Sequence, residues 1–164
     1  MGNVAMVALT MRIATIIARN LLGLAFLVFG LNYFLEFLPA PKHVDPAVGV
    51  FLGALVSGKV LALAKLVEIA AGLALLGNRF VPLALTLLAP VIVNIVLFHG
   101  VFDPAGLGVP LFVTVLELFL AWSYRHAFAP MLRAVVVPEG HASPALPARA
   151  GGLRPDAEAR VHAG

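Results

Sequence analysis

The amino-acid sequence predicts an all-α, polytopic membrane protein: a bundle of four transmembrane helices with a short interfacial helix and a disordered C-terminal tail. Three observations carry that prediction. Of 164 residues, 62% are hydrophobic and 12% charged, and mean hydropathy is +1.03. Soluble domains lie nearer half apolar and about a quarter charged, so this chain has too little polar side chain to cover a water-facing surface. Several apolar runs reach the roughly 20 residues that a helix needs to cross about 30 Å of hydrocarbon. Finally, the basic residues gather at the ends of those runs and in the tail, as the positive-inside rule expects.

The same composition excludes some functions. A net charge of +3 would suit a nucleic-acid binder, but no basic helix interleaved with aromatics and no zinc-finger spacing is present, so no nucleic-acid partner is expected. Cysteine is absent, which removes disulfides, thiol exchange and thiolate metal ligation.

The transmembrane domain is read over residues 1–127, with 128–164 a membrane-proximal segment and a cytoplasmic tail. Arg12 and Arg19 lead into the first apolar run, about residues 13–38, which is too long for the h-region of a signal peptide and has no small-x-small cleavage site after it. Gly23 and Gly30 sit two turns apart on similar faces and allow close helix contact. Pro39-Ala40-Pro41 ends this helix, and a polar connection follows from Lys42 to Pro46. The apolar stretch at about 47–56, started by Asp45-Pro46 and stopped by Ser57-Gly58, is too short to span and reads as interfacial or partly re-entrant.

A second span is expected at about 59–76, a tight turn at Gly77–Asn78–Arg79, and a third span at about 80–98. Pro90 falls inside the third span, removes the donor that would serve the carbonyl of Thr86 and predicts a kink. A loop from His99 to Pro110 precedes the fourth span, about 111–124, which ends in Trp122, Tyr124, Arg125 and His126. After Pro138 the chain is Pro-, Ala-, Gly- and Arg-rich without periodicity, the pattern of disordered tails. Arg12, Arg19, Arg79, Arg125 and Arg133 fall on one side and Lys42 and Lys59 on the other, which favours an N-in, C-in topology.

Charged groups within spans are costly, about 2.5–3.5 kcal/mol each even on gentle insertion scales. Lys65, Glu68 and Glu117 nevertheless lie inside apolar runs, with Asn94 and His99 near the end of the third and Asn32 and Glu36 near the end of the first. At about 1.5 Å per residue, Glu68 lies roughly 13 Å from Lys59 and Glu117 roughly 10 Å from Pro110, so the set gathers in the outward half of the bundle. Lys65 and Glu68 are i,i+3 and share a face, as do Asn32 and Glu36 at i,i+4; Pro90 and Asn94 are also i,i+4. Ala64, Ala71 and Gly72 lie beside Glu68 as small contact residues. The expectation is a polar pocket of Lys65, Glu68, Asn94, His99, Glu117, Asn32 and Glu36, framed by Pro90, Gly72 and Gly30.

Each member also has a plain structural reading. Lys65 can snorkel or simply pair with Glu68, Asn94 reads first as an interhelical hydrogen bonder, and His99 as an interfacial histidine. Glu68 and Glu117 point more firmly to function, as buried carboxyls in a span. No metal site, HExxH, paired haem histidines, P-loop, GxGxxG or Ser/His/acid arrangement is present.

The stretches ARNLLGLAFLVFGLNYF, LVEIAAGLALLGNRFVPLALTLLAPVIVNIVLFH and VFDPAGL resemble the DoxX-like family of small bacterial four-helix membrane proteins. The resemblance runs from about Ile17 to Arg125 and rests on Gly30–Phe34, Glu68 with Gly72, Asn78-Arg79 with Pro82, Pro90 with Asn94, His99, and Asp103-Pro104. Tyr33 stands where relatives commonly carry a basic residue. The resemblance implies a four-helix bundle in the bacterial plasma membrane; some relatives serve as a membrane subunit of a thiosulfate:quinone oxidoreductase, others belong to oxidoreductase complexes in oxidative-stress defence.

Three functions remain open at this level. One is an accessory membrane subunit of a redox assembly, with a soluble or membrane oxidoreductase partner and quinone as the implied cofactor. Another is a proton-coupled small-solute pathway, for which four spans leave little room unless the chain forms a homo-oligomer. The third is a non-catalytic scaffold whose polar residues only hold the bundle together.

Overall fold

The computed structural model describes residues 2–39 and 45–135. Among them every regular element is helical: α1 (Gly2–Leu35), α2 (Pro46–Ser57), α3 (Val60–Leu76), α4 (Val81–Phe102), a 3-10 turn (Pro104–Gly106), α5 (Gly108–Ser123), the short α6 (Arg125–Phe128) and a 3-10 turn (Ala129–Leu132). The expected tail at 136–164 and most of the connection from Lys42 to Pro46 lie outside the described residues.

Two helices, α1 and α4, are long and apolar enough to cross a membrane, and α2 with α3 adds a third crossing if that bent pair counts as one span. At 16 residues, α5 is apolar but short of the roughly 20 that spanning requires. Leu63, Leu66, Leu73, Leu83 and Leu118 are exposed on the outer faces, the arrangement of a membrane protein rather than of a water-soluble domain.

Helix boundaries depart from the sequence reading where local chemistry overrides hydropathy. α1 begins eleven residues before the expected start, because Asn3 to Arg12 contain no proline or glycine and several good helix formers. It stops at Leu35, short of 38. Glu36 adopts φ 49°, its N–H bonds the carbonyl of Asn32 at 2.9 Å, and the Asn32 side chain accepts the N–H of Leu38 at 2.7 Å. This is a left-handed helix end made without glycine.

α2 starts on Asp45, whose side chain accepts the N–H of Ala47, with Pro46 in the first turn. Lys59 at φ 60° then turns the chain by 77° into α3. α3 ends in a Schellman pattern: Asn78 at φ 53° bonds Leu75, and Arg79 bonds Ala74.

α4 runs as one helix through Pro90 and continues to Phe102, past the expected end at Phe98. Asp103, forced out of the helical region by the following Pro104, is what stops it. His99 is therefore in the last turn of a helix and not at the head of a loop. α5 likewise starts at Gly108 because Pro110, in its first turn, forfeits an N–H that would have had no partner.

The core is shared by α1, α3, α4 and α5 through Leu22, Phe26, Leu75, Leu85, Leu88 and Leu120. In lipid, apolar burial gives helices little reason to associate, so close van der Waals packing carries the bundle. The tightest seam joins α1 to α3. A Cβ on Gly72 would stand 2.8 Å from the carbonyl oxygen of Gly23 and 2.9 Å from the backbone nitrogen of Leu27. One on Gly30 would meet the Ile69 side chain at 2.8 Å and the Lys65 carbonyl oxygen at 3.2 Å. That seam fixes α3 against α1 beside the charged pair described next.

Candidate functional site

A cavity of about 910 Å³ opens between the C-terminal halves of α1 and α4 and the first turns of α3 and α5, with α2 lying along it. Its wall is mostly apolar. On the α2 side, Phe51 stacks on Phe98 at 6.1 Å and on Phe102 at 5.7 Å between ring centroids, which fastens α2 to the end of α4. Six polar side chains interrupt this wall: Asn32, Tyr33, Lys65, Glu68, Asn94 and His99.

Lys65 and Glu68 are the centre of the site. The Lys65 ammonium donates to both Glu68 carboxylate oxygens, each at 2.9 Å. Glu68 is 2% exposed and the Lys65 side chain 19%, so the carboxylate is held inside while the ammonium reaches the cavity. An ammonium has three N–H donors. Two serve Glu68, and the third has no partner among the described residues, which leaves it for a ligand.

Asn94 donates its amide NH2 to the carbonyl of Pro90 at 2.9 Å, the only assignment compatible with a carbonyl acceptor, and this leaves its side-chain oxygen as an acceptor. His99 Nδ1 lies 2.9 Å from the carbonyl oxygen of Ile95 and must donate to it. Nε2 is then the position available at the rim, 3.9 Å from an Asp103 carboxylate oxygen. Asn32 spends its oxygen on the N–H of Leu38 and keeps its NH2.

Five of the seven expected pocket residues thus line one cavity: Asn32, Lys65, Glu68, Asn94 and His99. Pro90 lines it too, and Gly30 and Gly72 form the seam behind it. Two residues do not join. Glu36 is exposed beyond the end of α1, and because the helix has already turned left-handed there, the i,i+4 relation to Asn32 no longer sets both on one face. Glu117 does not line the cavity. It lies one helical turn beyond Val113, which does, or about 6 Å along α5. It is 7% exposed, and its Oε2 is buried with no hydrogen-bond partner among the described residues.

The sequence reading missed the aromatic cluster of Phe51, Phe98 and Phe102; the i,i+4 spacing of Phe98 and Phe102 was its only local signal. It also gave Tyr33 no place in the pocket. Among the described residues no group of three or more His, Asp or Glu comes together to hold a metal ion.

No family model, curated protein or solved structure matches this chain. The geometry of the site therefore has to carry the functional reading.

Proposed function

We propose that this chain is a DoxX-like protein of the bacterial plasma membrane, its four helices α1, α3, α4 and α5 spanning N-in, C-in with α2 at the outer interface. On this reading it is an accessory subunit of a redox assembly that binds a quinone in the outward cavity, the electrons coming from a partner oxidoreductase. The observation that carries the reading is the meeting of Lys65, Glu68, Asn94 and His99 on one apolar-walled cavity of about 910 Å³. That volume lies within the range of about 300–1,000 Å³ usual for small-molecule sites.

The donor set suits a quinone head group. Carbonyl oxygens need donors, which the third Lys65 N–H, the Asn32 NH2 and the Tyr33 hydroxyl supply. The rings of Phe51, Phe98 and Phe102 offer a flat apolar face, and the open side of the cavity leaves room for an isoprenoid tail to reach lipid. When bound, the quinone supplies reversible two-electron, two-proton carbonyl chemistry. Glu68 accepts two of the Lys65 N–H groups and so orients the ammonium in an apolar wall. His99, at the rim, exchanges a proton with water through Nε2.

The test is extraction of quinone from the detergent-purified chain, with an unrelated membrane protein from the same membranes as control. Stoichiometric quinone above the control, lost in a folded Lys65→Met/Glu68→Met variant, supports the reading; control-level quinone in the wild type overturns it.

The orphan carboxyl oxygen of Glu117 favours one other reading, a proton-coupled pathway in which Glu117 takes protons from the cavity above it. Proteoliposome flux that is unchanged by Glu68→Gln and Glu117→Gln removes it.

A further inference from the structure

The opposite end of the bundle holds a second cleft, of about 670 Å³, built from different chemistry. Arg12, Thr15 and Arg19 lie at i, i+3 and i+7, one stripe along α1, and face Asn78 after α3, Ser123 at the end of α5 and Arg125 at the start of α6. Ile16, Phe119 and Trp122 supply the apolar wall. Along α1 this cleft is centred on Thr15 and the cavity on Phe29, about 21 Å away.

We infer that this cleft binds a phosphate oxyanion, and that its source is the headgroup of an anionic glycerophospholipid. Three guanidinium groups line one cleft that no carboxylate lines among the described residues. The ion pairs among the described residues, Lys65–Glu68 and His99–Asp103, belong to the other end. Arginine cannot shed its proton to relieve the repulsion; Arg12 and Arg125 are exposed to counter-ions, but Arg19 is half-buried, and an anion seated in the cleft would balance it.

The guanidiniums are held in place for one. Arg19 donates Nη1 to the Asn78 side-chain oxygen, and the left-handed turn at Asn78 is what presents that oxygen. Arg19 Nε remains buried with no hydrogen-bond partner among the described residues, a donor without an acceptor. Such a group costs free energy unless something accepts from it. Arg125 lies 5.0 Å over the Trp122 ring and donates to the Trp122 carbonyl at 3.1 Å, so its fork is also fixed. Fixed guanidinium forks match phosphate oxygens two at a time.

A lipid is favoured over free phosphate because the arginines meet an apolar wall in the same cleft. A headgroup can sit among them while its acyl chains follow Ile16 and Phe119 toward the hydrocarbon. Basic pockets between helices on the cytoplasmic side are where anionic headgroups bind, and tryptophan is enriched at that depth. The inference needs the helices to span a membrane but does not depend on what the opposite cavity holds.

Trp122 is the sole tryptophan of the chain and reports on the cleft directly. The full-length chain in detergent is titrated with short-chain phosphatidylglycerol, with phosphatidylcholine of the same chain length and with inorganic phosphate, following Trp122 emission. Saturable change with phosphatidylglycerol alone is expected, weakening as salt is raised. Arg19→Gln, which removes the charge-assisted bonds, should weaken it about tenfold or more. Arg12 is exposed, so Arg12→Gln provides a variant whose folding is not at stake and should weaken binding as well. The Lys65→Met/Glu68→Met variant should titrate like the wild type, which separates this cleft from the cavity. If inorganic phosphate saturates the signal with the affinity of phosphatidylglycerol, the lipid assignment falls and a free anion is the ligand. Indistinguishable responses to the two lipids, or wild-type titrations in both arginine variants, overturn the inference entirely.

Discussion

The two ends of this bundle handle charge in opposite ways. At the cavity end, Lys65 and Glu68 neutralise each other at 2.9 Å within a single helix, so the site is complete before anything binds. At the basic end, among the described residues, Arg12, Arg19 and Arg125 line a cleft that no acid lines, and one Arg19 donor is buried without an acceptor. A self-neutralised site can accept a neutral ligand without importing a counter-charge. An unneutralised one calls for an anion. The contrast suggests a bundle that takes a neutral amphipathic molecule at one end and an anionic headgroup at the other.

The largest expected effect comes from breaking the neutral end. Lys65→Met leaves Glu68 enclosed without its partner; losing one partner of a buried pair costs about 3–5 kcal/mol, and the partial exposure of Lys65 sets the expectation at about 3 kcal/mol. Lys65→Met/Glu68→Met should recover to within about 1 kcal/mol of wild type, because an apolar pair suits an apolar wall. Equilibrium unfolding in mixed micelles measures both. If the double variant is as unstable as the single one, the pair is structural cement rather than a site held ready for a ligand.

Next in size is the seam that positions this pair. Gly72→Ala drives a methyl against two backbone atoms that cannot yield, and overpacking of that kind costs about 1–3 kcal/mol. Gly30→Ala meets Ile69 Cγ1 at 2.8 Å and a single backbone atom, the Lys65 carbonyl oxygen, at the looser distance of 3.2 Å, so its cost should be smaller. The same unfolding measurement checks the order. Equal costs would mean that the α1–α3 contact is not the rigid element behind the cavity.

Much of this arrangement was legible in the sequence because it is written in helical spacing. The i,i+3 interval puts Lys65 and Glu68 on one face whatever the rest of the chain does, and Gly23, Gly30 and Gly72 marked a close approach that the structure realises. What stayed hidden depended on where helices end. Glu36 reads as a partner of Asn32 only if α1 continues past Leu35, and hydropathy does not register the left-handed cap that stops it. His99 reads as a loop residue only if α4 stops at Phe98, whereas Asp103-Pro104 carries the stop signal. The basic cleft was invisible for a different reason. Its arginines come from α1 and from the start of α6, and topology rules use such residues as orientation markers without asking what they face.

A smaller effect, of opposite sign, distinguishes the two buried glutamates. Glu117 Oε2 has no partner among the described residues to lose, so Glu117→Met removes an orphaned polar group and should raise stability by about 1 kcal/mol, where Lys65→Met lowers it. A fall in stability would show that Glu117 has an acceptor or donor in the membrane-embedded protein. A rise in stability together with loss of proton flux in liposomes would instead move the proton pathway ahead of the quinone reading.

The smallest effect separates the turn at the basic end from the arginine it holds. Asn78 sits at φ 53° and bonds Arg19 through its side chain, so it does two things at once. Asn78→Gly keeps the left-handed turn and loses the side-chain bond; the gain in backbone ease and the loss of one exposed hydrogen bond nearly cancel, to within about 0.5 kcal/mol. Asn78→Ala loses the bond and strains the turn as well, and should cost about 1 kcal/mol more than the glycine variant. With stability unchanged, Asn78→Gly frees the Arg19 fork to reorient, so phosphatidylglycerol should bind about twofold to tenfold more weakly, since a preorganised donor is lost without any change in charge. Unaltered lipid binding in Asn78→Gly would show that the cleft selects anions by charge alone and that the fixed geometry of Arg19 contributes nothing.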